Sequence, residues 1–248
     1  MRKLVGVVSW RRVLIWALWV TSFVASFVLA SLIATLLVMA ARGMGIAWSV
    51  ETTMGNLIFR LVMYVVMALL LLALPFLFAK RMSLSLKRLG IGRVLRYGDI
   101  GLALAGVVVY GLFTIVTQLA LSKVPGIDVT QTQNLGLSTH LVGGELLAAY
   151  IVLVVLTPLF EEFIFRGVLY GELRDHHMTK WPAILIVSAL FGVAHGQWNV
   201  GLDVFCLSVV ACYLRDITGT IWPGVVLHIL KNAVAFWFVF VASQSMTG

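Results

Sequence analysis

Residues 143–170 read GGELLAAYIVLVVLTPLFEEFIFRGVLY. The run is longer than the roughly 20 apolar residues that carry a helix across a bilayer core. Near its end it nonetheless places Glu161, Glu162 and Arg166. A charged side chain at the centre of a membrane helix costs about 2.5–3.5 kcal/mol on insertion scales, so such groups mark function by default. Pro158 stands three residues before Glu161. It removes a backbone hydrogen bond and is expected to bend the helix close to the carboxylates.

Two further stretches repeat the pattern. Phe191-x-x-x-His195 closes one apolar run, and His228-x-x-x-Asn232 lies inside the last one. The chain as a whole is 61% hydrophobic and 11% charged, with a mean hydropathy of +1.05. Soluble domains carry about 25% charged residues. These values predict an all-α, polytopic transmembrane bundle of about seven to eight helices. Apolar runs fall at 13–41, 57–79, 100–121, 143–170, 182–196, 200–214 and 219–243. The expectation is a single integral membrane domain over 1–248, with residues 143–243 as the helices that carry chemistry and no appended soluble domain. The basic start before the first run resembles a signal peptide, but the run far exceeds the ~7–15 apolar residues of one. It is read as a retained helix. Cys206 and Cys212 lack metal-type spacing and are read as packing thiols. Glycines in the apolar runs are likewise read as packing positions.

The net charge of +8 is a matter of topology rather than of nucleic-acid binding. With a cytosolic N-terminus, Arg2, Lys3, Arg11, Arg12, Lys80, Arg81, Lys87, Arg88, Arg93, Arg96, Arg174, Lys180 and Arg215 all fall on the inner side. Only Arg42 and Lys123 fall outside, and Arg60, Arg166 and Lys231 lie within helices. A thirteen-to-two division orients the bundle by the positive-inside rule. This implies an integral, multi-pass membrane protein with the N-terminus in the cytosol, and the small size and absence of retention signals point to a bacterial cytoplasmic membrane.

Glu162 and Arg166 are four apart with the acid first, the favoured order for a helical ion pair. Glu161 is rotated by about 100°. It is expected to face elsewhere and to be the carboxylate free for chemistry. His228 and Asn232 share one face of their helix. Lys231 lies on another and is read as a packing or snorkelling residue, and Asp203 as a helix-start residue. Counting 1.5 Å per residue places Glu161 and His228 each about 13 Å from the cytosolic ends of their helices, and His195 at about 20 Å. A shared, water-filled pocket open to the cytosol is the resulting expectation.

A glutamate and a histidine holding one water form a general base. A second histidine and an asparagine supply N–H donors for the oxyanion of an attacked carbonyl. Alternatively, Glu161, His195 and His228 are three zinc ligands with an open fourth position. Sequence does not separate the two. There is no HExxH, no GxSG and no GxGD motif. No phosphate-binding loop or dinucleotide fingerprint implies a soluble cofactor.

EExxxR at Glu161–Arg166, FxxxH at Phe191–His195 and HxxxN at His228–Asn232, in that order on late helices, resemble the CPBP family of intramembrane proteases. That family includes the type II CAAX prenyl endopeptidases and bacterial proteins linked to bacteriocin processing or self-immunity. The resemblance covers about the last 90 residues. It implies Glu161 and His195 as the groups that activate water, and His228 and Asn232 as the oxyanion donors. Glu162 and Arg166 match the motif in a supporting role. It implies an endopeptidase acting on a peptide or protein substrate at the membrane, including prenylated CAAX-type tails, with a metalloprotease label under which zinc is the candidate metal. A non-catalytic binding or self-immunity protein using the same pocket is the alternative. A proton-relay transporter ranks behind both, since Arg60 is the sole obvious ionisable group in the first three helices.

Overall fold

The computed structural model describes residues 9–78, 85–125 and 134–242. Arg2, Lys3, Lys80, Arg81 and residues 126–133 of the outer loop lie outside the described residues. Seven helices are present among those described, and no strand. They are α1 (Trp10–Gly43), α2 (Thr53–Phe78), α3 (Tyr97–Leu121), α4 (Gly143–Asp175), α5 (Lys180–Val193), α6 (Trp198–Thr218) and α7 (Trp222–Ala242). Five of them, α1, α2, α3, α4 and α7, are long and apolar enough to cross a membrane. Exposed Val108, Leu112, Ile115, Val116 and Leu119 on α3 give that helix an apolar outer face, as a lipid environment requires.

The helices alternate in direction, so all connections fall at one of two ends. At the first end, Trp16 Nε1 donates to His176 O at 3.0 Å, Arg88 pairs with Asp175 at 2.5 Å, and Trp222 Nε1 donates to Arg93 O at 2.6 Å. This end carries the described members of the basic set: Arg11, Arg12, Lys87, Arg88, Arg93, Arg96, Arg174, Lys180 and Arg215. At the opposite end, Arg60 Nη2 donates to Leu135 O at 2.6 Å, and the Asn134 amide donates to Gln197 Oε1 at 3.0 Å.

Helix α4 is irregular where the chemistry-bearing residues sit. Pro158 has no N–H to give to the residue four before it. Just before it, residues Ile151–Leu156 widen into a π-helical segment, which accommodates the lost bond in wider turns. A second π segment follows at Phe163–Leu169. Glu161 and Glu162 thus end a six-residue α-helical island, Thr157–Glu162, between two widened stretches. Sequence spacing overlooks these segments because it assumes one constant period.

Close helix contact depends on glycine at a few sites. Gly192 on α5 and Gly201 on α6 face each other, and a Cβ on either would lie within 2.8 Å of the other's carbonyl oxygen. Gly167 and Gly171 on α4 are four apart and admit the backbone of Leu89 and Arg88, whose carbonyl oxygens would lie 2.9 and 3.0 Å from an added Cβ. Arg215 Nη2 fixes the same strap by donating to Arg88 O at 2.7 Å. Cys206 and Cys212 are buried free thiols.

Overpacking a tight contact costs about 1–3 kcal/mol. Gly192→Leu is therefore expected to lower the thermal unfolding midpoint in detergent, whereas Leu112→Ala on the exposed face of α3 is expected to leave it nearly unchanged.

Candidate active site

The four residues expected to carry chemistry come from α4, the end of α5, and α7, and they line one cavity of about 550 Å³. Glu161 and Glu162 are both buried, as are Arg166 and His228. Arg166 Nη1 lies 2.9 Å from Glu162 Oε1, and the guanidinium carbon sits 4.6 Å from the centroid of the Phe191 ring. This ion pair lacks hydrogen-bond alignment. Glu162 Oε1 also lies 3.1 Å from His228 Nδ1. A carboxylate against Nδ1 makes that nitrogen the donor and leaves Nε2 toward Glu161, whose Oε2 is 3.5 Å away.

The expectation that Glu161 turns away from Glu162's surroundings needs correction. Both carboxylates reach the same imidazole, because its two nitrogens point to different corners of the ring. Glu161 is nevertheless separate from Arg166. Its Oε1 accepts a 2.5 Å hydrogen bond from Tyr64 Oη on α2, and Tyr64 stacks on Phe160.

His195 lies beyond α5, in the turn that ends at Gly196 with φ +68°. Its Nδ1 is 2.8 Å from Phe191 O, one of the carbonyls left without a partner at a helix end. Bonding there makes Nδ1 the donor and directs Nε2 into the cavity. Phe191 is the shared support: its ring packs edge-on against His195 at 4.9 Å and His228 at 5.8 Å between centroids. This gives a physical reason for the aromatic residue four before His195. Asn232 Nδ2 donates to Leu153 O at 3.0 Å. Leu153 belongs to the π segment before Pro158.

Three cavity residues were not anticipated. Tyr64 is separated from Glu161 by 97 positions, and no motif links them. Asp203 is no mere helix start: its Oδ1 accepts from Tyr110 Oη at 2.6 Å, and its Oδ2 lies 3.4 Å from Lys231 Nζ. Lys231 accordingly faces the cavity and does not snorkel. An acid and a base within otherwise apolar runs were the available signal, but their pairing across helices was not.

The cavity extends from the carboxylates away from the basic end, the end at which the sequence predicts its opening. Its lining runs from Glu161 and His228 to Gln118 in the last turn of α3, Asn134 and Leu135 before α4, Asn199 in the first turn of α6, and Phe240 near the end of α7. All of these lie toward the end opposite the basic loops. Gln118 and Asn134 are exposed, whereas Phe165, Arg166, Val168 and Leu169, on the other side of the carboxylates, are buried.

Glu161, His195 and His228 have donor types suited to zinc, and each imidazole has its second nitrogen held by a protein acceptor, as metal-bound histidines do. They do not assemble as a ligand set. Among the described residues no group of three His, Cys, Asp or Glu side chains is placed to hold a metal ion. Tyr64 occupies one oxygen of Glu161, and His228 lies against the other. The arrangement does not fit a zinc centre, and no chemical step is derived through one.

Breaking a buried ion pair from one side costs about 3–5 kcal/mol, more than replacing both partners. Arg166→Leu is expected to destabilise the protein by this amount in thermal unfolding. The double variant Glu162→Gln/Arg166→Met is expected to recover part of the loss.

Comparison with known proteins places these helices. Residues 143–234 match the family model described as Rce1-like, type II CAAX prenyl endopeptidase. A 98-residue stretch is 28% identical to an Escherichia coli protein described as "Uncharacterized 24.3 kDa protein", covering 38% of this chain. The chain spans 45% of the length of that relative. No solved structure matches. With its helices long enough to span a bilayer and its three motifs around one cavity, the chain is an integral membrane protein whose residues 143–234 are similar to the Rce1-like type II CAAX prenyl endopeptidase model, in keeping with the CPBP resemblance of its motifs.

Proposed function

We propose that the protein is an intramembrane endopeptidase that hydrolyses a peptide bond of a membrane-associated substrate without a covalent intermediate. The observation that carries this reading is the environment of Glu161: a buried carboxylate with a phenol on one oxygen and an imidazole near the other, at the floor of a cavity large enough for a peptide segment. Such a group can take a proton from water. Apolar lining residues, including Met63, Met67, Phe236 and Val239, suit a hydrophobic stretch of chain.

In the proposed reaction a water is held between Glu161 and His195 Nε2. Glu161 accepts one of its protons as the oxygen attacks the scissile carbonyl carbon. The resulting oxyanion accepts hydrogen bonds from Asn232, which has a second amide N–H beyond the one given to Leu153, and from His228 Nε2–H when the ring carries both protons. Collapse breaks the C–N bond, and the proton held by Glu161 passes to the leaving amine. Acid and amine products then balance peptide plus water. Glu162 and Arg166 touch no reacting atom in this scheme. They fix the plane of His228. Tyr64 acts likewise as a positioning residue for Glu161.

Purified protein in liposomes, offered a farnesylated CAAX peptide and a library of membrane peptides, tests this by mass spectrometry. Wild type is expected to cut at least one, and Glu161→Gln none. Equal cutting by both would overturn the assignment. A folded wild type that cuts nothing would favour the binding or self-immunity alternative.

A hydrogen bond to a charged group contributes about 1.5–3 kcal/mol. Tyr64→Phe is therefore expected to lower kcat by roughly 10- to 100-fold with little change in KM. Prolonged chelation followed by metal analysis is expected to leave cleavage intact. Loss of activity restored by zinc would reinstate the metal mechanism.

A further inference from the structure

The positions of the basic residues and of the cavity lead to opposite faces of the bundle. We infer that the catalytic cavity is loaded from the extracytoplasmic side of the membrane, so that its substrate is a peptide segment held at the outer leaflet. This deepens the endopeptidase reading and rests on it for the word substrate, but the access route stands on separate observations.

The first is the charge division. The described basic residues Arg11, Arg12, Lys87, Arg88, Arg93, Arg96, Arg174, Lys180 and Arg215 gather at one end of the bundle, and Arg42 and Lys123 lie at the other. A bias of this size places the basic end in the cytosol. The second is the floor. Between Glu161 and the basic end, α4 contributes the buried residues Ile164, Phe165, Arg166, Val168 and Leu169. The Arg88–Leu89 strap then crosses the groove made by Gly167 and Gly171. Ile221 N donates to Gly90 O at 3.0 Å, and Thr220 Oγ1 donates to the same oxygen at 2.7 Å, tying the strap to the start of α7. No lining residue of the cavity comes from this layer beyond Phe165.

The third is the mouth. Away from Glu161 the lining reaches exposed Gln118 and Asn134 and half-buried Arg60 and Asn199, beside apolar Leu135, Phe238 and Val239. Water and a peptide backbone find partners among the polar members, whereas the close-packed floor offers no route. A prenylated tail with a polybasic flank is tethered to the cytosolic leaflet. It would arrive at the closed face. A translocated or secreted precursor, anchored by an apolar stretch in the outer leaflet, arrives at the open one.

Cysteine labelling in vesicles of defined orientation tests the route without requiring hydrolysis. Val142→Cys, 71% exposed before α4, reports the mouth end, and Val94→Cys, 77% exposed, reports the basic end. Thr157→Cys and Ala194→Cys report the cavity itself. Wild type, whose two cysteines are buried, sets the background. A membrane-impermeant maleimide added to right-side-out vesicles is expected to modify Val142→Cys and both cavity variants, and to leave Val94→Cys unmodified. Inside-out vesicles are expected to give the reverse. Modification of the cavity cysteines only from the side that labels Val94→Cys would overturn the inferred floor. Labelling of Val142→Cys from the cytosolic side would overturn the orientation. Cavity cysteines modified from neither side would overturn access altogether. None of these outcomes bears on whether Glu161 is the base, and an inactive wild type would leave the labelling pattern as predicted.

Discussion

The buried chain Arg166–Glu162–His228 sets the terms for everything around it. Arg166 and Glu162 have no exposed side-chain surface, and His228 has almost none. Charges removed from water are costly unless paired and enclosed. Here the enclosure is specific. The Phe191 ring lies against the guanidinium, and Gly224 lies against the carboxylate, where an added Cβ would come within 2.6 Å of Glu162 Oε2. Glycine at that point of α7 is therefore a condition for the acid to fit between two helices. A ring held through Nδ1 by such a carboxylate cannot rotate freely, so the structural pair becomes a device for aiming Nε2.

The same constraint explains the irregularity of α4. Glu162 must face Arg166 and His228 while Glu161, the next residue, reaches Tyr64 and the other corner of the imidazole. Widened turns on both sides let the short α-helical island adopt the rotation this requires without breaking the helix. The N-terminal π segment also supplies Leu153, whose carbonyl orients Asn232. One proline thus influences the carboxylate pair and the amide together. π segments at functional sites are common in helices for this kind of reason.

Much of this was legible in the sequence because three motifs compress the relevant geometry into spacings of three and four residues. Helix number and membrane class follow from composition and the lengths of the apolar runs, and the Glu162–Arg166 pairing and the shared face of His228 and Asn232 from helical periodicity. What escaped depends on pairings between distant helices. Tyr64 looks like one more aromatic residue in an apolar run, and Lys231 and Asp203 each look like a helix-edge charge until α6 and α7 are set side by side. The cavity's direction escaped for a different reason. Distances along single helices give depth from either end but say nothing about which layer is filled. Among the described residues, the Arg88–Leu89 strap, seated over glycines of α4, covers the basic end.

Filling that end has an electrostatic consequence for Glu161. A close-packed layer, enclosing the Arg166–Glu162 pair among apolar side chains, keeps bulk water away from one side of the carboxylate, so its remaining partners act in a low-dielectric setting where each counts for more. Tyr64 then matters because it is a neutral donor: it stabilises negative charge on Glu161 without cancelling it as an arginine would. Arg166 is spent on Glu162, and Lys231 is directed to Asp203, which Tyr110 also holds. Both of these cations are matched to a carboxylate other than Glu161. A base that must accept a proton is thereby left with hydrogen-bonding neighbours rather than a fixed counter-ion, and the fold achieves this by partner choice across four helices.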